Sequence, residues 1–254
     1  MSDDKKVKDL VAAAHRQGTL TARSLAALDI PDLGAQIQAG LGVAVDDVTS
    51  TEVVLVTMMP DDSGSIRHAR NEEAVRDGHN AVLDALARSR QAGDVLVHTR
   101  YLNGTVLTPY TTVVNAPRMT AANYQPIHGT PLYDQTVVLL GTVLVKAQEL
   151  ADAGVPARTV TLLISDGADC TSQRATAGDV AALVGDLLAA ENHIVAALGI
   201  DDGTTDFAAV FRSMGIPDRW ILTPASTGSE IRRAFQVFSQ SAVAATQGAT
   251  LGGF

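Results

Sequence analysis

Strands and helices alternate along most of this chain, and that alternation constrains its fold more than any other feature of the sequence. Apolar runs typical of strands covered on both faces begin near residues 53, 94, 158 and 193. Stretches with apolar residues at helical spacing separate them, most clearly over 133–151. Strands joined by helices of this length form right-handed βαβ units. The sequence therefore predicts an α/β, Rossmann-like, doubly wound and mostly parallel sheet with helices on both faces.

One edge strand is expected to run against the others. Asn103-Gly104 separates the strand predicted over 94–101 from a second one over 105–110, and Asn-Gly is a strong hairpin signal. Ahead of this pair, residues 67–91 are predicted to form one long helix. A last short strand is predicted over 220–223.

The two ends of the chain differ from this pattern. Residues 1–50 contain two short amphipathic segments, 8–17 and 21–28, and are predicted to form a helical extension. Packing of this extension against the main domain is the favoured interpretation, and a docking arm for a partner is the alternative. The α/β domain is expected over 51–246, followed by a flexible tail over 247–254, which is small and rich in glycine.

Composition excludes several classes of protein. The net charge of −9 and the absence of a basic patch argue against a nucleic-acid partner. The apolar runs are far shorter than the roughly 20 residues of a membrane span, and the N-terminus lacks a signal-peptide pattern. The lone Cys170 leaves no disulfide framework and no cysteine-rich zinc site. We therefore expect a cytoplasmic protein with no membrane contact.

A set of oxygen-bearing side chains stands where predicted strands end or in a nearby loop. Its members are Asp61, Ser63, Ser65, Thr130 and Asp166. Ligands bind outside the carboxyl ends of the strands in such sheets, so the topology should bring these side chains together. Hydroxyl and carboxylate oxygens suit Mg²⁺ (or Mn²⁺) far better than zinc or copper. Two carboxylates only balance the charge of the ion, which leaves it able to accept a carboxylate from a partner protein.

The three segments that carry this set resemble the metal-ion-dependent adhesion site (MIDAS) of von Willebrand factor A (VWA) domains. They are Asp61-Asp62-Ser63-Gly64-Ser65, Gly129-Thr130-Pro131-Leu132 and Ser165-Asp166-Gly167. The resemblance covers roughly residues 50–245 and indicates a bacterial-type intracellular member. It implies that Ser63, Ser65 and Thr130 bind the metal directly. Asp61 and Asp166 would bind it directly or through water, and an Asp or Glu of a partner would complete the coordination.

Two residues depart from the family pattern, and a third lies close to the metal loop. Asp62 occupies a position that is commonly uncharged and adds negative charge, while His128 replaces the first glycine of the common Gly-Gly-Thr loop. Asp169 follows the third motif. We predict that Asp62, His128 and Asp169 form a rim that contacts the partner.

The leading hypothesis is an Mg²⁺-dependent interaction module, an adaptor or scaffold rather than an enzyme. Intracellular relatives often work beside ATPases or within multi-protein assemblies, which makes such an assembly a candidate partner. One alternative is an Mg²⁺-dependent hydrolase or phosphoryl-transfer enzyme with Asp61 as nucleophile and His128 as acid or base. No phosphate-binding glycine loop with a lysine supports it. The other alternative is a structural subunit of a larger assembly.

Overall fold

The strands of this protein lie side by side in one sheet. The structure is a computed structural model that describes residues 3–29, 32–248 and 252–254. The strands are β1 (Val53–Met59), β2 (Val95–Arg100), β3 (Val106–Thr112), β4 (Ala157–Ser165), β5 (His193–Gly199) and β6 (Ile221–Leu222). The helices are α1 (Asp3–Arg16), α2 (Ala22–Ala27), α3 (Leu33–Leu41), α4 (Gly64–His68), α5 (Glu72–Ala87), α6 (Leu132–Asp152), α7 (Ala177–Ala189), α8 (Phe207–Ser213) and α9 (Gly228–Thr246).

The strand order is β3-β2-β1-β4-β5-β6. β3 is antiparallel to β2, and every other neighbouring pair is parallel. The predicted mostly parallel α/β sheet with one antiparallel edge strand is therefore confirmed. β1 pairs with β4 along the whole length of β1, from Val53 opposite Ala157 to Met59 opposite Leu163. This register places the loops that follow β1 and β4 next to each other.

Helices cover both faces of the sheet. As a result, β1 and β4 are buried on both sides. On one face α6 contacts β1 and β4, with α7, α1 and α3 packed against it. On the other face α9 contacts the same two strands and packs along α5. Burial on both faces explains why these strands appear in the sequence as continuous apolar runs rather than as alternating patterns.

The N-terminal helices lie against the α/β domain. Ile37 of α3 is fully buried, and α3 contacts both α6 and β3. Two buried cations bind carbonyls in or just after α3: Arg100 donates to the carbonyl of Gln36, and Lys146 donates to that of Val43 at 2.6 Å. The division of the chain at residue 50 stays a prediction.

The C-terminal end includes residues 249–251, which lie outside the described part of the chain. The predicted flexible tail therefore stays a prediction. Within residues 252–254, the Phe254 ring meets Trp220 edge-on at 5.3 Å between centroids. Among the residues that the structure describes, no helix has the length and apolar character needed to cross a bilayer.

The prediction of one long helix over 67–91 is wrong, because the chain turns between α4 and α5. Ala69 ends α4, and Arg70 adopts a left-handed conformation with φ of 58°. The amide of Asn71 then donates to the carbonyl of Ile66 at 2.9 Å, which closes the end of α4 in a Schellman motif. Glycine usually marks this turn in a sequence, and arginine here gave no such signal.

Candidate metal centre

The loops after β1 and β4 form the floor of the predicted site. Ser63 is the residue before α4, so α4 begins inside the site and carries Ser65 in its first turn. A third segment crosses this floor: the amide of Gly64 donates to the carbonyl of His128 at 3.0 Å. Three distant parts of the sequence therefore meet at the carboxyl ends of the two central strands, as parallel topology requires.

Three of the predicted ligand atoms lie within hydrogen-bonding distance of one another. The Ser63 and Ser65 hydroxyl oxygens are 2.8 Å apart. The Ser65 hydroxyl donates to Asp166 Oδ1 at 2.6 Å, and the Ser63 hydroxyl lies 3.3 Å from the same oxygen. The three oxygens form a small triangle that spans the two loops.

Asp61 lies beneath this triangle and holds the loops together. Its Oδ1 accepts from the Ser63 amide at 2.7 Å. Its Oδ2 accepts from the Ser165 hydroxyl at 2.7 Å and from the Asp166 amide at 3.3 Å. Both oxygens of this fully buried carboxylate are therefore engaged, so Asp61 positions the other ligands. The sequence reasoning missed Ser165 as a site residue, although it stands in the third motif.

Thr130 is buried beside the turn that follows Asp166. Its carbonyl accepts from the Cys170 amide at 3.1 Å, which fixes the segment after the turn. A β-carbon at Gly167 would stand 3.8 Å from the Thr130 hydroxyl oxygen, so that hydroxyl faces the turn across an ordinary van der Waals distance. Thr130 and the oxygen triangle thus approach the same turn.

The predicted rim residues have different surroundings. The side chain of Asp62 is buried, accepts from the Asn103 amide at 2.9 Å and lies 3.8 Å from His128 Nε2. Asp169 accepts from the Tyr133 amide at 3.3 Å and from the Ser172 hydroxyl, which ties the loop to the start of α6. His128 is the most open of the three, with 45% of its side chain exposed.

Tyr124 also supports the centre, and its role could not be read from the sequence. Its buried hydroxyl donates to the carbonyl of Asp61. Its ring packs 5.5 Å from that of Tyr101, between centroids. A tyrosine in a loop carries no sequence signal for such a contact, because the partner carbonyl lies 63 positions away.

Comparison of the whole chain with known proteins gives matches at the level of structure. No protein-family model matches the sequence, and no curated protein matches it. The pilus adhesin SpaC from Lactobacillus rhamnosus GG aligns over 78% of this chain with 15% identity and a TM-score of 0.53. Proximal thread matrix protein 1 of the mussel byssus aligns over 76% with 15% identity and a TM-score of 0.52. The VWA domain of SpRpn10 aligns over 71% with 9% identity and a TM-score of 0.50.

This chain has the VWA fold. The match covers 93% of the SpRpn10 domain, so the likeness extends over nearly the whole of that VWA domain. The matches cover only 31% of the adhesin and 48% of the mussel protein. This chain therefore corresponds to less than half of either protein. A further structure of the mussel protein, which aligns with a TM-score of 0.50, has a zinc-occupied MIDAS motif.

The centre of this VWA fold has an excess of buried negative charge. Asp61, Asp62 and Asp166 are all buried, and His128 is the only basic side chain that the described residues place within ion-pair distance of them. Burial raises the pKa of Asp62 to about 6. Burial, and to a lesser extent the charge of Asp61, raises the pKa of Asp166 to about 6. Buried carboxylates are normally paired with cations or coordinate metals, so this arrangement calls for a positive charge.

The donor atoms fit a small divalent ion held by oxygen. In a regular octahedron with metal–oxygen distances of about 2.1 Å, neighbouring oxygens are about 3.0 Å apart. The triangle of Ser63, Ser65 and Asp166 oxygens has sides of 2.8, 2.6 and 3.3 Å, which is close to one face of that octahedron. Within the described residues, no group of three or more His, Cys, Asp or Glu side chains is placed to hold a metal by itself. A metal at this centre would therefore depend on hydroxyl ligands.

Proposed function

We propose that this protein is a divalent-metal-dependent protein-interaction module that binds an acidic side chain of a partner. Ser63, Ser65 and Thr130 would hold the ion with their hydroxyls, with Asp166 beside them and Asp61 positioning the loops. The ion would supply a positive charge that accepts an outside carboxylate. We further propose Mg²⁺ (or Mn²⁺) as the physiological ion, because the donor atoms are all oxygens.

The observation that carries this proposal is the triangle of Ser63, Ser65 and Asp166 oxygens, whose spacing is close to octahedral, in a centre where Asp61 and Asp62 are buried as well. The VWA fold supports it, since one neighbour of that fold contains metal in a MIDAS motif and another is a pilus adhesin. We also propose, from the sequence, that the partner belongs to a multi-protein assembly, which could include an ATPase. A cytoplasmic location is likewise a proposal from the sequence. The division of the chain into a helical extension over 1–50, a VWA domain over 51–246 and a tail over 247–254 is also a proposal.

The hydrolase alternative is less well supported by the geometry. A nucleophilic carboxylate needs an oxygen that can reach substrate, whereas both oxygens of Asp61 are buried and hydrogen-bonded to the protein. The other residue proposed for that chemistry, His128, has its Nε2 near Asp62 rather than Asp61. These contacts favour a binding centre over a catalytic one.

Titration of Mg²⁺ or Mn²⁺ into chelator-stripped protein, followed by calorimetry, tests the metal site. We expect Ser65→Ala to weaken metal affinity by about tenfold or more, because one direct ligand is lost. Ser50→Ala is the matched control, because Ser50 precedes β1 at the opposite edge of the sheet. Equal affinity of Ser65→Ala and wild type would reject the proposed ligand set.

Recovery of partners from native lysate tests the interaction. We expect a carboxylate-bearing partner to be retained in Mg²⁺ and released by EDTA, and Ser65→Ala to retain little of it. A partner that stays bound in EDTA and binds Ser65→Ala equally well would instead support the structural-subunit alternative.

A further inference from the structure

The first turn of α6 is capped by a loop from another part of the chain. The residue before this helix is Pro131, whose side chain makes no capping hydrogen bond. The amides of Tyr133 and Asp134 donate instead to the Ser172 hydroxyl, at 3.1 and 3.0 Å. Amides in the first turn of a helix have no partner inside the helix, so this hydroxyl takes the place of a cap. The loop after β4 therefore completes the start of α6.

The side chain of Asp134 binds the same loop in the opposite direction. Its Oδ2 accepts from the Gln173 amide at 2.8 Å, and its Oδ1 accepts from the amides of Arg174 and Ala175 at 3.1 and 2.7 Å. Each of the two segments thus supplies a side chain that binds the backbone of the other. We refer to Asp134 and Ser172, with these contacts, as the α6 clasp.

Thr130 lies directly beside the α6 clasp, two residues before α6 begins. Its carbonyl accepts from the amides of Cys170 and Thr171, at 3.1 and 3.4 Å. A β-carbon at Gly129 would stand 2.8 Å from the Thr171 side chain, so the two segments are in close contact here. The three oxygens of the triangle contact one another directly, whereas these bonds hold Thr130 through its backbone. The position of the Thr130 hydroxyl therefore depends on how the two segments are fastened together.

We infer that Asp134 and Ser172 are positioning residues of the metal centre and act through Thr130. The α6 clasp fixes the start of α6 against the loop after β4, and so sets the distance between the Thr130 hydroxyl and Asp166. This inference rests on the proposed function, which makes Thr130 a ligand, and adds two residues outside the ligand set. Side chains that orient metal ligands commonly change metal affinity by about 10- to 100-fold. A clasp that only stabilised the fold would leave that affinity unchanged.

Calorimetric titration of Mn²⁺ into chelator-stripped protein tests the inference. Asp134→Ala removes the acceptors of three amides, whereas Asp134→Asn removes the same charge but keeps one acceptor oxygen. Ser172→Ala opens the clasp without changing the charge. Each variant is also made in a Thr130→Ala background. Thr21→Ala is the matched control, because the Thr21 hydroxyl caps α2 and contacts Asp186 near the far end of α7.

We expect Asp134→Ala and Ser172→Ala each to weaken Mn²⁺ affinity by about tenfold, and Asp134→Asn to weaken it less than Asp134→Ala. In the Thr130→Ala background the same changes should cost less than about twofold, because the ligand that they position is gone. Thr21→Ala should bind like wild type. In metal-free Asp134→Ala, amide hydrogen exchange should accelerate at residues 173–175 and stay slow in β1 and β4. That pattern would show a clasp that opens in a protein that remains folded.

The proposed function and this inference fail in different ways. A wild type that binds no Mn²⁺, or binds it no better than Ser65→Ala, would overturn the proposed function and this inference with it. Affinity that Ser65→Ala lowers but the clasp variants leave unchanged would overturn this inference alone. Equal losses with and without Thr130 would also overturn it, because the clasp would then act on the fold in general. If Asp134→Ala does not fold, Ser172→Ala and Asp134→Asn decide between the same outcomes.

Discussion

Replacing Asp166 by asparagine should change the stability of this protein in opposite directions with and without metal. Asparagine has the same shape and can still accept from the Ser63 and Ser65 hydroxyls, but it carries no charge. Without metal, it removes a buried negative charge that forms no ion pair with any of the described residues. With metal, it replaces a charged oxygen of the triangle by a neutral one, which attracts the ion less strongly.

The magnitude for the metal-free protein follows from the pKa of Asp166. Burial, followed by the charge of Asp61, raises this pKa from 3.8 to about 6. A raised carboxylate pKa means that stability falls as the pH rises from 3.8 to 6, and the full penalty remains above that range. At about 1.4 kcal/mol per pKa unit, ionised Asp166 destabilises the metal-free fold by up to about 3 kcal/mol. Allowing for residual solvent screening, we expect Asp166→Asn to gain about 1–2 kcal/mol.

The assay is thermal unfolding at about pH 7.5, first in EDTA and then in Mg²⁺ at about a hundredfold excess over its dissociation constant. In EDTA, Asp166→Asn should melt about 2–8 °C above wild type, at about 2–4 °C per kcal/mol for a domain of this size. In Mg²⁺, wild type should gain about 2.7 kcal/mol and overtake the variant. The control Asp46→Asn, a change at an exposed carboxylate before β1, should follow wild type in both conditions. A variant that is less stable than wild type in EDTA, or that gains equally from Mg²⁺, would refute the reasoning.

Two further predictions concern the core. Burial lowers the pKa of His79 from 6.5 to about 4. Between these two pH values His79 is protonated in the unfolded chain but neutral in the folded chain. The free energy of unfolding should therefore fall with decreasing pH, and His79→Gln should reduce that slope by about 1.4 kcal/mol per pH unit in urea titrations; an unchanged slope would contradict it. Gly78→Ala should destabilise by about 1–3 kcal/mol, because its β-carbon would lie 2.1 Å from the Phe235 ring. Gly185 lies in α7, and a β-carbon added there would have no atom within 4 Å, so Gly185→Ala should stabilise the protein by up to about 1 kcal/mol. Denaturant midpoints that show Gly78→Ala to be as stable as Gly185→Ala would contradict this prediction.

The fold was predictable to the extent that burial leaves a mark on local sequence. β1 and β4 are buried on both faces, and such strands must be continuously apolar, so their position and parallel pairing could be inferred. The break between α4 and α5 left no such mark. Arg70 takes the left-handed conformation that the sequence would signal only with glycine or asparagine. Propensity therefore predicted a continuous helix where the chain turns.

The candidate centre divides in the same way. Ser63, Ser65 and Asp166 could be named from the sequence, because their residue types and their places after strands indicate oxygen ligands at one edge of the sheet. Their meeting at 2.6–3.3 Å is a property of the fold. The use of both Asp61 oxygens to hold the loops could not be inferred, because its partners lie in another loop far along the chain.

The sequence by itself determined the layer architecture, the ligand types and the edge of the sheet at which they gather, because these depend on periodicity, residue chemistry and parallel topology. The tertiary structure alone decided which charges are buried and which stay free. Asp61, Asp62 and Asp166 are all buried, and among the described residues only His128, beside Asp62, offers a basic side chain within ion-pair distance, whereas Arg23 and Arg118 reach their carboxylates at the surface. Desolvation and pairing depend on neighbours distant in sequence, so only the folded chain sets the electrostatic character of the centre.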